Sequence, residues 1–286
     1  MKTFAIATLG CKVNTFESES YIESLKISGY QEVDFKDIAD IYIINTCSVT
    51  NTAASKSRQK IHQAIRQNAD AMICVVGCYV QTNESDLSEI ERIDLLIGAR
   101  HKNRLVDYIN QGQSDELISD QRDMTFESLP LKQYSHQTRA FLKIQDGCDQ
   151  FCSYCIIPFA RGNERSAFSD DLIEMAKSLV SSGHKEIVLS GIHIGRFGKA
   201  GNEDLTHLLR RLIGEVAGLM RIRLSSIEVT EITPQLLDLM ASSDKIVRHL
   251  HIPLQSGCDT VLRRMNRPYT SKEFYDRIQS IRQRFD

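Results

Sequence analysis

Four short runs in the first hundred residues constrain this chain most. Residues 4–8, 41–44, 73–76 and 95–97 are apolar and rich in β-branched side chains. A strand with one wet face alternates apolar and polar residues, whereas a strand covered on both faces reads as a continuous apolar run. Helix-like stretches at 15–28, 53–67 and 84–92 separate the runs, and a further helix is expected at 100–110. Strands buried on both faces and alternating with helices predict a parallel sheet with helices on each side. The fold class is therefore α/β, with a doubly wound parallel sheet in residues 1–111.

Residues 112–138 change character. Gln111-Gly-Gln-Ser-Asp-Glu and Tyr134-Ser-His-Gln-Thr are polar, Pro130 lies between them, and a loosely packed linker is expected. From residue 139 the alternation restarts. Strands are expected at 141–145, 186–189, 221–225 and 248–252, and helices at 170–182, 205–214, 234–241, 260–265 and 272–285. Ser169-Asp170 and Thr233-Pro234 read as helix caps. Four strand–helix units in series predict a partial (β/α) barrel over 139–286, an incomplete one because closure needs more units.

Net charge is −2, so generic polyanion binding by the whole chain is excluded, while a local basic patch is not. No apolar run approaches the roughly 18 residues of a membrane span, and the first residues lack the apolar core and cleavage site of a signal peptide. The reading is a cytoplasmic, monomeric protein without a membrane partner. Eight cysteines then need a reason other than disulfides, which a reducing compartment disfavours.

Three of them lie in one loop after an expected strand, in Cys148-Asp-Gln-Phe-Cys152-Ser-Tyr-Cys155. This spacing lets one loop wrap three corners of a cubane, and thiolates are the usual ligands of iron–sulfur clusters. Three ligands leave one iron open, which suits the amine and carboxylate of S-adenosylmethionine. The competing zinc reading wants four N/S ligands at closer spacing. His136 or His184 could complete it, but neither stands at motif spacing. Cys11, Cys47 and Cys78 each follow an expected strand, so in a parallel sheet all three emerge at the carboxyl edge where ligands bind. Three unrelated buried cysteines remain an open alternative from spacing alone. Cys74 lies inside a strand and reads as core. Cys258 has no partner set and reads as structural.

Candidates to hold the cofactor are Gly191 (after Ser190), Ser226 (after Ser225), Glu228 and Gln255, which follow barrel strands on the side where active sites form. Turn or cap roles for the serines weigh equally, and a solvated carboxylate is the plain alternative for Glu228. His193 is a candidate for cofactor contact. His249 and His251 share one face of a strand and read first as hydrogen-bonded core histidines. Lys56, Arg58, Lys60, Arg66, Arg161, Arg165, Arg263, Arg264 and Arg267 could meet phosphates, with solvated surface as the default for each.

The residues also carry a resemblance. Thr8-Leu-Gly-Cys11-Lys-Val-Asn14, Ile44-Asn-Thr-Cys47-Ser-Val-Thr50, Val76-Gly-Cys78-Tyr-Val-Gln81, the Cys148–Cys155 loop, Ile156-Ile-Pro-Phe-Ala-Arg-Gly162, Glu228 with its flanks and Leu250-His-Ile-Pro-Leu-Gln-Ser-Gly257 resemble the methylthiotransferase family of radical S-adenosylmethionine enzymes. The first string and Val49-Thr-Asn-Thr-Ala-Ala-Ser-Lys-Ser-Arg58 are most similar to the MtaB-type branch. That branch methylthiolates N6-threonylcarbamoyladenosine at carbon 2 of adenine 37 in tRNA.

The resemblance implies two 4Fe-4S clusters, an auxiliary one on Cys11, Cys47 and Cys78 and a radical one on Cys148, Cys152 and Cys155. It also implies S-adenosylmethionine, a reducing electron donor and a tRNA substrate. The family continues into a six-unit partial barrel and a small RNA-binding β-barrel, whose absence here is the expectation for this chain. Alternatives are methylthiolation of isopentenyladenosine or of a ribosomal-protein aspartate, a zinc-stabilised nucleic-acid-binding module, and an inactive cluster-binding fragment.

Overall fold

The computed structural model describes residues 1–118, 125–135, 137–199, 201 and 203–285. These fall into two compact units, Met1–Ser135 with Ile156–Asn163, and His136–Cys155 with Glu164–Asp286.

The first unit is built on a six-stranded, all-parallel sheet. Its strands are β1 (Thr3–Thr8), β2 (Gln31–Glu32), β3 (Ile41–Thr46), β4 (Met72–Gly77), β5 (Leu95–Ile97) and β6 (Asp115–Leu117), in the order β2-β1-β3-β4-β5-β6. All of β3 and β5 is buried, as continuous apolar runs require. The helices are α1 (Lys12–Ile27), α2 (Asn51–Gln67), α3 (Cys78–Thr82), α4 (Glu84–Ser88), α5 (Leu105–Gln111) and α6 (Ile157–Arg161). On one side of the sheet Ile61 and Ala64 of α2 pack against Tyr42, Ile44, Ile73 and Val75. Each such side chain contributes about 1.5–3 kcal/mol by leaving water, less for alanine. The Thr50 hydroxyl starts α2 by accepting from the Ala53 N–H at 3.1 Å.

Three expectations need correction here. The helix expected at 84–92 ends at Ser88, and Arg92 takes a left-handed backbone (φ 82°). The two-residue edge strand β2 and the short α3 and α6 went unread, because segments of two to five residues carry no period. The expected linker is in part packed. β6 pairs with β5, and Leu129, Leu131 and Tyr134 are buried. The backbone N–H groups of Lys132 and Ser135 donate to Glu23 and Glu19 of α1. Apolar residues two and three apart in a polar stretch suffice for such a strap. Residues 119–124 and 136 of that segment, His136 among them, lie outside the described residues.

The second unit carries the parallel sheet β11-β10-β7, made of β7 (Ala140–Lys143), β10 (Glu186–Ser190) and β11 (Arg221–Leu224). A two-stranded antiparallel pair, β8 (Gln145–Asp146) and β9 (Arg165–Ser166), lies between β7 and β10 in sequence. The helices are α7 (Ser169–Ser181), α8 (Leu205–Glu215), α9 (Pro234–Ser242), α10 (Asp259–Arg264) and α11 (Ser271–Arg282). Thr233 caps α9 as expected, its hydroxyl accepting from the Leu236 N–H at 3.1 Å. Ser169 does not cap α7. It is already helical, its hydroxyl donates to Glu203, and Phe168 precedes it with no capping bond.

The strand expected at 248–252 is replaced by an irregular stretch, with isolated parallel bridges at Ile222–Ile246 and Ser226–His251. His249 and His251 are consequently exposed rather than core. Pro253 and exposed Leu254 follow, so the stretch has neither the donors nor the burial of a central strand. Among the described residues no helix is long and apolar enough to cross a membrane.

Candidate cluster sites

In the first unit the chain reverses the direction of strand addition between β1 and β3. This switch point is where open α/β sheets bind ligands, beyond the carboxyl ends of the strands. Cys11 follows β1 and Cys47 follows β3, directly at that point, and Cys78 opens α3 just after β4. Gly10 passes so close to Cys47 that an added Cβ would lie 2.7 Å from both its Cβ and its Sγ, and Gly10 has φ +99°. Asn14 fixes the two loops. Its Nδ2 donates to Leu9 O (2.7 Å) and Thr46 O (2.9 Å), while Cys11 Sγ stands 3.8 Å from its Oδ1. Burial pushes the Cys47 thiol up, and the nearby Cys78 and Cys11 sulfurs add to this. A backbone hydrogen bond at Val49 and the charge of Arg161 oppose it.

Arg161 belongs to a buried charge network in the same unit. Its Nη2 donates to Asn14 Oδ1 at 2.7 Å and its Nη1 lies 3.3 Å from Glu17 Oε1. Lys102 Nζ reaches the other Glu17 oxygen at 2.6 Å.

In the second unit the three-cysteine loop leaves β8 through Gly147 (φ 73°). Gln145 shapes this exit. Its Nε2 donates to Asp146 O (3.0 Å) and Gly147 O (2.8 Å), and its Oε1 accepts from the backbone of Ile192 (3.1 Å) and His193 (2.7 Å). His193 Nδ1 lies 3.6 Å from Cys148 Sγ and its Nε2 lies 2.6 Å from Glu231 Oε1. Burial alone would lower the His193 pKa, but the Cys148 sulfur and Glu231 outweigh it and raise it to about 10. Arg267 Nη1 donates to Cys152 Sγ at 3.3 Å, and its Nη2 donates to Glu228. Burial pushes the Glu228 carboxyl up while the Arg267 and His193 charges pull it down. Beside these groups is a cleft of about 170 Å³ lined by Gln150, His193, Arg196, Glu228, Thr230 and Glu231 among others. A second cavity of about 200 Å³ is lined by Met240, Leu250, Ile252, Ile278, Ile281 and Phe285 with Arg248 and Arg282, and carries no nucleophile or carboxylate.

Of the residues expected at the cofactor, Glu228 and His193 line the cleft; Gly191, Ser226 and Gln255 do not. Gly191 is needed for packing, because a Cβ there would stand 2.9 Å from Gln145 O. Ser226 is exposed and bridges to His251, and Gln255 is exposed with a left-handed φ of 65°. Three expected phosphate contacts point inward instead. Arg161 is held by Asn14 and Glu17, Arg165 by Asp146 at 3.4 Å, and Arg267 by Cys152 and Glu228. Arg58 donates to Tyr79 Oη at 2.7 Å and Lys60 sits over the Phe35 ring, while Lys56, Arg66, Arg263 and Arg264 stay on the surface. Cys74 is fully buried, its thiol pushed up by desolvation, whereas Cys258 is exposed rather than packed.

Residues 3–98 match the family described as Uncharacterized protein family UPF0004, and residues 142–286 match the radical SAM superfamily. The chain is 44% identical to the threonylcarbamoyladenosine tRNA methylthiotransferase MtaB of Bacillus subtilis, over 99% of this chain and 64% of that one. It is 36% identical to the protein of the same name from Aquifex aeolicus, over 97% and 68%. The chain belongs to the MtaB-type methylthiotransferases of the radical SAM superfamily. A tRNA-2-methylthio-N(6)-dimethylallyladenosine synthase of Clostridium perfringens is more distant, at 32% identity over 98% and 65%. The radical S-adenosylmethionine methyltransferase TsrM from Kitasatospora setae shares the fold, with a TM-score of 0.66 at 14% identity over 99% of this chain and 66% of that one. The chain thus spans just under two thirds of the length of the Bacillus relative.

Among the described residues no three His, Cys, Asp or Glu side chains gather closely enough to hold one metal ion. Thiolates are the usual ligands of iron–sulfur clusters, each bound to its own iron. His184, the described candidate for a zinc site, is buried with Nδ1 facing Thr138 O at 3.4 Å. Sequence reasoning missed Asn14, Gln145, Glu231, Asn266 and Arg267 as partners of the cysteine loops. Only Asn14, which ends the first family string, carried a local signal.

Proposed function

We propose that the protein is a tRNA methylthiotransferase that converts N6-threonylcarbamoyladenosine at position 37 into its 2-methylthio derivative. The observation that carries this reading is the pairing of two three-cysteine sets with MtaB-type family membership. In it Cys148, Cys152 and Cys155 hold a 4Fe-4S cluster, and Cys11, Cys47 and Cys78 hold a second. The target carbon bears no acidic proton, so a side-chain base tuned near neutrality cannot activate it. When bound, the loop cluster and S-adenosylmethionine supply the radical chemistry that such a carbon requires.

The chain's own residues bind and orient. The His193–Glu231 pair holds Cys148, and Arg267 holds Cys152. Glu228 and Glu231 offer carboxylates to an ammonium group in the cleft. Gly191, Ser226 and Gln255 remain candidates for the outer parts of the cofactor. The tRNA, a reducing electron donor, a cytoplasmic location and a monomeric state complete the reading.

Nucleoside mass spectrometry of tRNA from cells lacking and expressing the gene tests it. Expression should raise 2-methylthio-N6-threonylcarbamoyladenosine. An unchanged level would refute the substrate, and a rise in the isopentenyl derivative instead would transfer the reading to the more distant relatives' substrate.

A further inference from the structure

The loop that carries Cys148, Cys152 and Cys155 is held from outside by a turn far away in sequence. The loop needs such a hold, because Phe151 takes a left-handed φ of 50°, an unfavourable state for a bulky side chain. Residues 265–267 follow the last turn of α10, where Met265 N donates to Val261 O and Arg267 N to Leu262 O. Asn266 Nδ2 donates to both Gln150 O and Phe151 O at 3.1 Å, and Gln150 Nε2 returns a bond to Asn266 O at 3.2 Å. Ser153 N donates to Met265 O at 3.2 Å. Four hydrogen bonds thus tie three loop residues to two turn residues.

Arg267 completes the turn. Its side chain is 4% exposed, its guanidinium lies 5.1 Å from the centre of the Tyr269 ring, and Tyr269 Oη is anchored on Leu254 O at 2.8 Å. One arm donates to Cys152 Sγ and the other to Glu228. A guanidinium keeps its charge at every accessible pH. Hydrogen bonds to ligand sulfurs and nearby charges set the potential of iron–sulfur clusters.

We propose that the 265–267 turn is a clamp on the cysteine loop, and that Arg267 is a positioning residue that fixes Cys152 and raises the reduction potential of the cluster held there. This rests on the reading that the loop ligates a 4Fe-4S cluster. Reduction adds negative charge to the cluster, so a fixed cation against one of its sulfurs favours the reduced state. Glu228 offsets part of that cation, and the two residues act on the potential with opposite sign.

The test uses the whole chain with Cys11, Cys47 and Cys78 replaced by Ala, reconstituted anaerobically, so that only the loop cluster reports. The potential is read by redox titration followed by electron paramagnetic resonance. Arg267→Gln should lower the reduction equilibrium constant about tenfold, equivalent to about 59 mV for one electron. Arg267→Lys should retain most of the parent value, and Glu228→Gln should shift it upward. An Arg267→Gln variant with parental iron content and parental potential overturns the proposal. So does loss of iron from both Arg267 variants with no shift in Glu228→Gln, which would leave a packing role only. A parent that binds no iron refutes the ligand reading instead.

Discussion

Glu17→Gln is expected to be the most damaging single change in the first unit outside its cysteines. Glu17 is fully buried between two cations, Lys102 Nζ at 2.6 Å and Arg161 Nη1 at 3.3 Å, whose side chains are each 1% exposed. With the carboxylate present, three buried charges sum to one positive. Without it, Lys102 and Arg161 both lose the carboxylate they share in that dry site. Removing one partner of a buried pair costs about 3–5 kcal/mol, mostly through the charge left uncompensated. At about 1.4 kcal/mol per tenfold, α1 amides that exchange by opening of this unit should exchange roughly two to three and a half orders of magnitude faster.

Hydrogen exchange read by mass spectrometry measures this unit by unit, which a single unfolding curve for a two-unit chain does not. Adding Lys102→Met should recover part of the loss, because Arg161 then keeps Asn14 as its partner. A change below about 1 kcal/mol in α1, or no recovery in the double variant, would refute the assignment of this network as a mutually dependent unit.

Three smaller predictions follow. Gly10→Ala should hinder assembly of the second cluster, since its Cβ would lie 2.7 Å from Cys47 Sγ at a φ of +99°; reconstituted iron should fall while the loop cluster persists. Asp40 accepts from Thr3 N and Thr3 Oγ1, and these bonds hold its carboxyl below the usual range. Its contribution to stability is therefore full above the ordinary carboxylate pKa and lost as pH falls through the lower folded value, so Asp40→Asn should flatten the acid limb of a stability–pH profile, and an unchanged limb would contradict this. Alkylation of the native protein followed by peptide mass spectrometry should label exposed Cys258 early and fully buried Cys74 only after unfolding; early labelling of Cys74 would count against its core assignment.

The sheet of the first unit was legible because each of its central strands is a continuous apolar run, a pattern that buried parallel strands share with few alternatives. The placement of Cys11 and Cys47 at the β1/β3 switch point followed from that topology. The second unit was less legible at 246–256, where an apolar stretch with two histidines looked like a strand but Pro253 and the left-handed Gln255 break the ladder. The partners of the cysteine loops were the least legible part. Arg267 and Asn266 lie on a turn after α10, and nothing local distinguishes Arg267 from its exposed neighbours Arg263 and Arg264. Only the fold brings its guanidinium to Cys152. Likewise Arg161 reads as a surface cation until α6 packs on α3 and buries it against Glu17.

The central claim is that two separate three-cysteine sets each hold a cluster. It is tested most directly by iron and sulfide analysis of the anaerobically reconstituted chain beside two triple variants, Cys11/Cys47/Cys78→Ala and Cys148/Cys152/Cys155→Ala. The account predicts about eight irons with matching sulfide in the parent and about four in each variant. A parent with four irons, or a variant that keeps all eight, would contradict it.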